Sequence, residues 1–321
     1  MVCDAGNEVE VSTEANAIQE LMNLKSDDSG VLWRLKYNVA QGAILPKRDE
    51  FWKQLVMALL TSQQKSTEGM PVSKFAVKEP FPLALATYQT SHDEDVVVVI
   101  KSNGLRFGPR ITGFLRLNYK WLFETGDGWA MIESLLQKLV SQREKSPDAN
   151  QKTLEREVAR VLADNLAGIG PKQSRNLLQE LGLTRYEIPL DSRVVGWLNE
   201  NLNWGISLGD LTHHKTYDQH LDRVQAACQA AAVLPTVFDA AAFVVGKTGV
   251  SSPGFSTAPG YVNRGGQVVI RNTGLAGTDH GQSVYQLGCS FCGEVYGANG
   301  SDIFQRKCPK CQGGASGLAH E

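Results

Sequence analysis

Several features are scarce in this 321-residue chain, and each scarcity closes off a class of function. Positive charge is not in surplus: 32 Lys and Arg against 34 Asp and Glu leave a formal net charge of −2. No global field therefore draws the chain to a polyanion, and any nucleic-acid face has to be local. No apolar run approaches the roughly 20 residues that span a bilayer, so no membrane association is expected. The amino terminus, MVCDAGNEVEVSTEAN, is acidic and has no basic stretch ahead of an apolar core, so it does not read as a signal peptide. Cysteines number six, four of them in two C-x2-C pairs near the carboxyl end. Without an export signal, that pattern favours a metal site in a reducing cytoplasm over a disulfide framework. No internal repeat is present.

The apolar content, 42%, suffices for a real core. The first 245 residues read as mainly α. Residues 1–12 look frayed, and a first helix is expected over Glu14–Lys25. DEFWKQLVMALLT (Asp49–Thr61) puts Phe51, Leu55, Val56 and Leu59 on one side, and a helix opening at Gly128 carries Ile132, Leu135, Leu136, Leu139 and Val140 at helical spacing. Leu154, Val158, Val161 and Leu162 mark the next helix, and shorter ones are expected at Pro171–Leu181, Ser192–Asn201, Tyr217–Ala232 and Pro235–Val245. Val96–Ile100 (VVVVI) has strand propensity but stands among helices, so strand and buried helical turn both stay open. Residues 246–260 are rich in Gly, Ser, Thr and Pro and read as a linker. In the remaining domain, 261–321, YVNR and QVVIRN flank Gly265-Gly266 as a hairpin.

Gly168-Ile169-Gly170-Pro171-Lys172 has the apolar-Gly-apolar-Gly form of a helix-hairpin-helix turn. Glycines permit positive φ and close backbone approach, and the amides that open the following helix favour an anion such as a DNA phosphate. Pro171 suits the first helical position, and Ile169 points into the hairpin's own core. By itself Lys172 could be a phosphate contact or a solvated lysine. Nineteen residues on stands Asp191, after Ile188-Pro189-Leu190 and ahead of a helix with Val194, Val195, Trp197 and Leu198. A carboxylate there serves as an N-cap, or is held ionised beside a reacting centre, and the two roles are compatible.

In this register of Lys172 and Asp191 the sequence resembles the helix-hairpin-helix/Gly-Pro-Asp superfamily of DNA glycosylases, in its 8-oxoguanine branch. The resemblance covers about residues 40–245 and is specific in the hairpin-to-aspartate block. It implies a helical glycosylase fold and a DNA N-glycosylase with β-lyase activity, with Lys172 and Asp191 catalytic and Gly168 and Gly170 on the DNA backbone. It further implies that Ser62, Gln63 and Gln64 fill the gap left by an expelled base. The acid-free stretch Lys101–Lys120, with Arg106 and Arg110, would supply a phosphate strip. Asn176, one turn beyond Lys172, would line the base pocket with Phe238 and Phe243 of the last helix, the segment that also carries Asp239. Two departures bear on the substrate. Arg193 stands where family members commonly have histidine, placing a permanent cation for a phosphate or for Asp191. Asn176 replaces other residue types, which suits a different base edge.

Cys289-x2-Cys292, fifteen residues, then Cys308-x2-Cys311 is zinc-ribbon spacing, and four thiolates make one closed, structural zinc site. A rubredoxin-like knuckle leaves iron as the alternative metal, and the spacing is not that of the superfamily's iron–sulfur cluster. Arg264, Arg271, Arg306 and Lys307 could direct this ribbon to DNA or to protein. The expectation is thus a monomeric cytoplasmic glycosylase on double-stranded DNA with a modified base, 8-oxoguanine by resemblance. Its alternatives are an antiphage enzyme excising a hypermodified cytosine, such as the glucosylated hydroxymethyl form, and a non-enzymatic DNA-binding module.

Overall fold

The computed structural model describes residues 5–62, 64, 69–145, 149–247, 257–263, 265–278 and 282–320. Contacts divide the chain into two units, Met1–Asp191 with Leu208–Val244, and Ser192–Ser207 with Val245–Glu321. Architecture is mainly α, with one small antiparallel sheet near the carboxyl end.

In the first unit the helices are α1 (Ala5–Lys25), α2 (Ser29–Arg34), α3 (Arg48–Leu60), α4 (Pro71–Ala76), α5 (Leu85–Gln89), α6 (Asp93–Ser102), α7 (Gly108–Tyr119), α8 (Gly128–Lys145), α9 (Ala149–Asn165), α10 (Pro171–Glu180), α12 (His214–Ala230) and α13 (Pro235–Lys247). The helix α11 (Ser192–Leu202) lies between α10 and α12 in sequence and belongs to the second unit. Backbone helix begins at Ala5, ahead of the expected start at Glu14. Segments α2, α4 and α5 are too short to show a period, and π-helical turns follow α2 at Leu35–Ala40 and α7 at Lys120–Glu124. The VVVVI run is helical, inside α6. Three acids, Asp93, Glu94 and Asp95, occupy its first turn, and the Asp95 carboxylate accepts the His92 N–H at 3.2 Å. Val96 and Ile100, four residues apart, are buried while Val98 is exposed, so helical spacing overrides strand propensity.

A core of Phe51, Trp52, Leu55, Tyr88, Leu115 and Leu136 fills the space among α3, α5, α7 and α8. The rings of Trp52 and Tyr88 lie 4.8 Å apart, and the Trp52 indole donates to the Leu83 carbonyl at 3.0 Å. Against this rigid body the α9–α10 pair is locked by polar contacts. Gln173 donates to the Ala58 carbonyl at 2.7 Å, and the Asn118 amide of α7 both donates to and accepts from the Ala167 backbone, at 3.0 and 2.7 Å.

The extended segment after α10 lacks a neighbouring strand, so side chains satisfy its backbone. Glu155 of α9 accepts the N–H groups of Arg185, Tyr186 and Glu187 at 2.9, 2.8 and 3.0 Å. Burial lifts its carboxyl to about 7, against the pull of those three donors. Further along, the Tyr217 hydroxyl accepts the Leu190 N–H at 2.6 Å and donates to the Ile188 carbonyl at 3.0 Å.

In the second unit, β1 (Gln267–Ala276), β2 (Ser283–Cys289) and β3 (Val295–Asn299) form an antiparallel sheet in that order. Val269, Leu287, Tyr296, Ala298 and Ile303 make its core. Around Gly265-Gly266 the first arm of the expected hairpin is a bridge, Val262 to Val268, and the main partner of β1 is β2.

One side chain ties α10, the extended segment and α12 together. The fully buried Arg175 guanidinium donates to the Pro171 carbonyl at 2.9 Å, Glu187 at 2.8 Å and Asp218 at 2.7 Å. Arg175→Met removes one cation from two buried carboxylates, which keep Arg156 and Arg160, and is expected to lower unfolding free energy by about 2–3 kcal/mol in urea titration.

Candidate active site

The hairpin turn is built for close approach. Gly168 has φ +78, and a Cβ there would meet Phe114 at 2.5 Å and Leu59 at 2.8 Å, so packing as well as dihedral demands glycine. Gly170 differs: its φ is −101, and nothing lies within 4 Å of an added Cβ. Between them Ile169 is buried, as its apolar character requires. Pro171 opens α10, and Lys172 follows in its first turn, partly buried, with Nζ 3.4 Å from the Gln173 amide oxygen.

Asp191, also partly buried, ends the extended segment one residue ahead of α11, and its N–H donates to the Pro189 carbonyl at 2.9 Å. The flanks of Lys172 and Asp191 share one anchor. Arg175 holds the carbonyl of Pro171, the residue before Lys172, and its guanidinium lies 4.4 Å over the ring of Tyr217. The Tyr217 hydroxyl in turn clamps Leu190, the residue before Asp191. Sequence reasoning missed Arg175 and Tyr217, because no local pattern links positions that far apart.

Asn176 is partly exposed on the Lys172 face of α10. Phe238 is fully buried, while Phe243 keeps some exposed surface. Asp239, 6% exposed, accepts from Gln179 Nε2 at 2.9 Å, and the same amide reaches Thr236 at 3.1 Å. Burial raises the Asp239 carboxyl to about 7; Arg34 opposes the shift and Asp191 adds to it. Asp239 is therefore within electrostatic reach of Asp191.

Of the residues expected on a DNA face, Gln63 and Arg264 lie outside the described residues. Ser62 is partly exposed in the turn after α3. The Gln64 side chain is used at both ends, donating to the Leu60 carbonyl and accepting the Arg106 N–H, each at 2.8 Å. Arg106 and Arg110 flank Phe107, their guanidinium carbons 4.8 and 4.4 Å from its ring centroid. Phe107 itself has φ +62, the left-handed region, just ahead of α7. The aromatic before Gly108-Pro109 was the one available hint of that turn. Arg193 is partly buried near the start of α11, in the second unit.

A 340 Å³ cleft lined by Tyr37, Ile44, Glu50, Lys53 and Glu180 sits at the opposite end of α10, Glu180 being about 12 Å from Lys172 at 1.5 Å per residue. Two acids, Glu50 and Glu180, outnumber the one lysine there, Lys53, which disfavours a phosphate.

In the second unit the sulfurs of Cys289, Cys292, Cys308 and Cys311 lie within 4.8 Å of one another, and the 289–311 and 292–308 pairs are 3.6 Å apart. Backbone N–H groups of Phe291 and Cys292 point at Cys289. This cluster can hold a metal ion. The nearby cations are largely committed: Arg271 bonds Gln286 and the His320 carbonyl, and Arg306 bonds the carbonyls of Ala315 and Ser316. Lys307 remains exposed. Among the described residues no single helix is long and apolar enough to cross a membrane.

Neither protein-family models nor curated sequences match the chain. Solved structures do. The Methanocaldococcus jannaschii 8-oxoguanine glycosylase/lyase, in complex with 15-mer DNA containing 8-oxoguanine, aligns with TM-score 0.54 and 16% identity over 74% of this chain and 98% of its own. A second structure, the M. jannaschii 8-oxoguanine DNA glycosylase, gives TM-score 0.50 and 16% identity over 73% and 94%. The chain thus has the helical fold of these DNA glycosylases.

Two predictions follow from this geometry. Gly168→Ala is expected to destabilise the fold, by clash and by left-handed strain, whereas Gly170→Ala keeps its melting temperature; paired thermal melts check both. Asp239 holds its proton more tightly folded (about 7) than unfolded (about 3.9), so stability falls as pH rises between those values. The slope is at most about 1.4 kcal/mol per pH unit. Comparing Asp239→Asn with wild type isolates this slope from that of Glu155, and a pH-independent difference between pH 5 and 7 would contradict it.

Proposed function

We propose that the chain is a DNA glycosylase with AP-lyase activity that everts a modified base from double-stranded DNA and excises it through Lys172. The shared Arg175 anchor behind Lys172 and Asp191, on a fold held in common with DNA glycosylases, is the observation that carries this reading. A pure DNA-binding module has no use for a carboxylate held in that relation to the lysine.

A stacked base cannot reach an amine on a hairpin, so the nucleotide rotates out of the duplex first. The hairpin amides and Gly170 grip the phosphate backbone, while Arg106, Phe107 and Arg110 present a ring between two cations to the distorted strand. By the resemblance, Ser62 and Gln63, which follow α3 in sequence, fill the vacated gap. The Lys172 amine then forms a bond to C1′ as the glycosidic C–N bond breaks; the electron pair of that bond leaves with the base, which takes the proton the alkylated amine sheds. Asp191 stabilises the positive charge that builds on the sugar. Ring opening gives an imine, loss of a C2′ proton expels the 3′ phosphate, and water releases the lysine. Asn176 and Phe243 supply an amide and a ring for the everted base, and Arg193 a cation for a phosphate.

For substrate, 8-oxoguanine is the base in the neighbouring complex. The Asn176 amide and Arg193, residue types that depart from the family's pattern, favour a second candidate, a hypermodified cytosine, whose excision would serve defence against phage. The four cysteines fit one structural zinc: tetrahedral Zn–S bonds of about 2.3 Å set sulfurs about 3.8 Å apart, near the 3.6 Å observed. Four thiolates leave no open position, so the ion's part is to hold the ribbon together.

Borohydride trapping tests the lysine chemistry. Duplexes carrying 8-oxoguanine, glucosylated hydroxymethylcytosine or an abasic site are offered to wild type and Lys172→Ala. A covalent adduct that requires Lys172 is expected on the abasic duplex and on one modified base; no adduct on any duplex would overturn the mechanism.

A further inference from the structure

Gln64 was expected to face DNA as a gap filler, yet its side chain is consumed within the protein. The amide nitrogen donates to the Leu60 carbonyl, one of the orphan acceptors at the end of α3, and the amide oxygen accepts the backbone N–H of Arg106, 42 residues away. The residue immediately after that N–H is Phe107, at φ +62 and ψ +29. A left-handed aromatic residue is strained and persists where its surroundings over-determine it. Phe107 lacks a side-chain oxygen to cap α7, and its carbonyl accepts the Ile111 N–H at 3.0 Å. The cross-link from Gln64 supplies a fixed point one residue upstream. The two guanidiniums beside the ring repel each other at the positive end of α7, which gives the turn a further reason to open.

We propose that Gln64 is a positioning residue that fastens the turn after α3 to the Arg106–Phe107 turn, so that ring and cations meet a distorted DNA strand as one preset surface. This rests on the glycosylase reading above. Gln64 touches no reacting atom; it acts through Phe107. Its loss should weaken recognition of a gapped stack while leaving attachment to intact duplex in place.

The test compares two duplexes, one carrying a tetrahydrofuran abasic analogue and one unmodified, and reads the ratio of their dissociation constants. Three variants join wild type: Gln64→Met, of similar size with neither hydrogen bond; Gln64→Glu, which keeps the acceptor for Arg106 N–H; and Phe107→Gly, which relieves the left-handed strain and removes the ring. Any uniform effect of the added negative charge in Gln64→Glu cancels in the ratio. Gln64→Met is expected to lower the preference for the abasic duplex roughly three- to tenfold, the factor one hydrogen bond commands. Gln64→Glu should restore most of it, and Gln64→Met should add nothing in the Phe107→Gly background. An unchanged ratio in Gln64→Met, or losses that multiply in the double variant, overturns the positioning role. Wild type with no preference for the abasic duplex overturns the glycosylase reading and this inference with it, and is told apart from the other failures by the wild-type lane alone.

Discussion

A fully buried guanidinium is an expensive thing to place in a protein interior, and the polar architecture of the first unit is arranged around one. Arg175 cannot be deprotonated, so every donor it presents needs an acceptor at all working pH values. It finds a carbonyl on its own helix, one carboxylate on the extended segment and one on α12. Those carboxylates are further held by Arg156, which reaches Glu187 at 2.9 Å, and by Arg160, bonded to Asp218. The result is a fixed relation between a helix start and a strand-like segment that share no backbone hydrogen bonds with each other.

Charge elsewhere is distributed by task and not by total. A net charge of −2 conceals a local surplus at the start of α7, where Arg106 and Arg110 stand with no acid in the first turn. Two cations at the positive end of a helix dipole are unfavourable within the protein and become favourable when an outside anion arrives. The acids gather instead around the cleft at the far end of α10, and inside the fold at Glu155 and Asp239, whose carboxyls burial raises.

Legibility in the sequence followed the range of the interaction. The glycine turn ahead of α10 and the four clustered cysteines were readable because each is written within a few residues, at spacings that backbone geometry dictates. Long amphipathic helices such as α8 were readable for the same reason. The VVVVI run was ambiguous because propensity and context disagreed, and burial of two positions four apart decided it. Arg175, Tyr217, Glu155 and Asn118 were not legible, since each acts on backbone brought near by the fold. For Gln64 the place in a polar turn was plain, but its hydrogen bond to a backbone N–H 42 residues away was not.

Asn118 carries one more implication. Its amide fixes the hairpin turn at Ala167 to the body of α7, ten residues from the Gly108 end. Helix α7 is then a strut of about 15 Å between the hairpin and the Phe107 platform. A strut transmits displacement instead of absorbing it, so neither end can shift without carrying the other. The separation of the two turns is therefore a fixed length, and a distortion that changed it would be resisted by the helix itself.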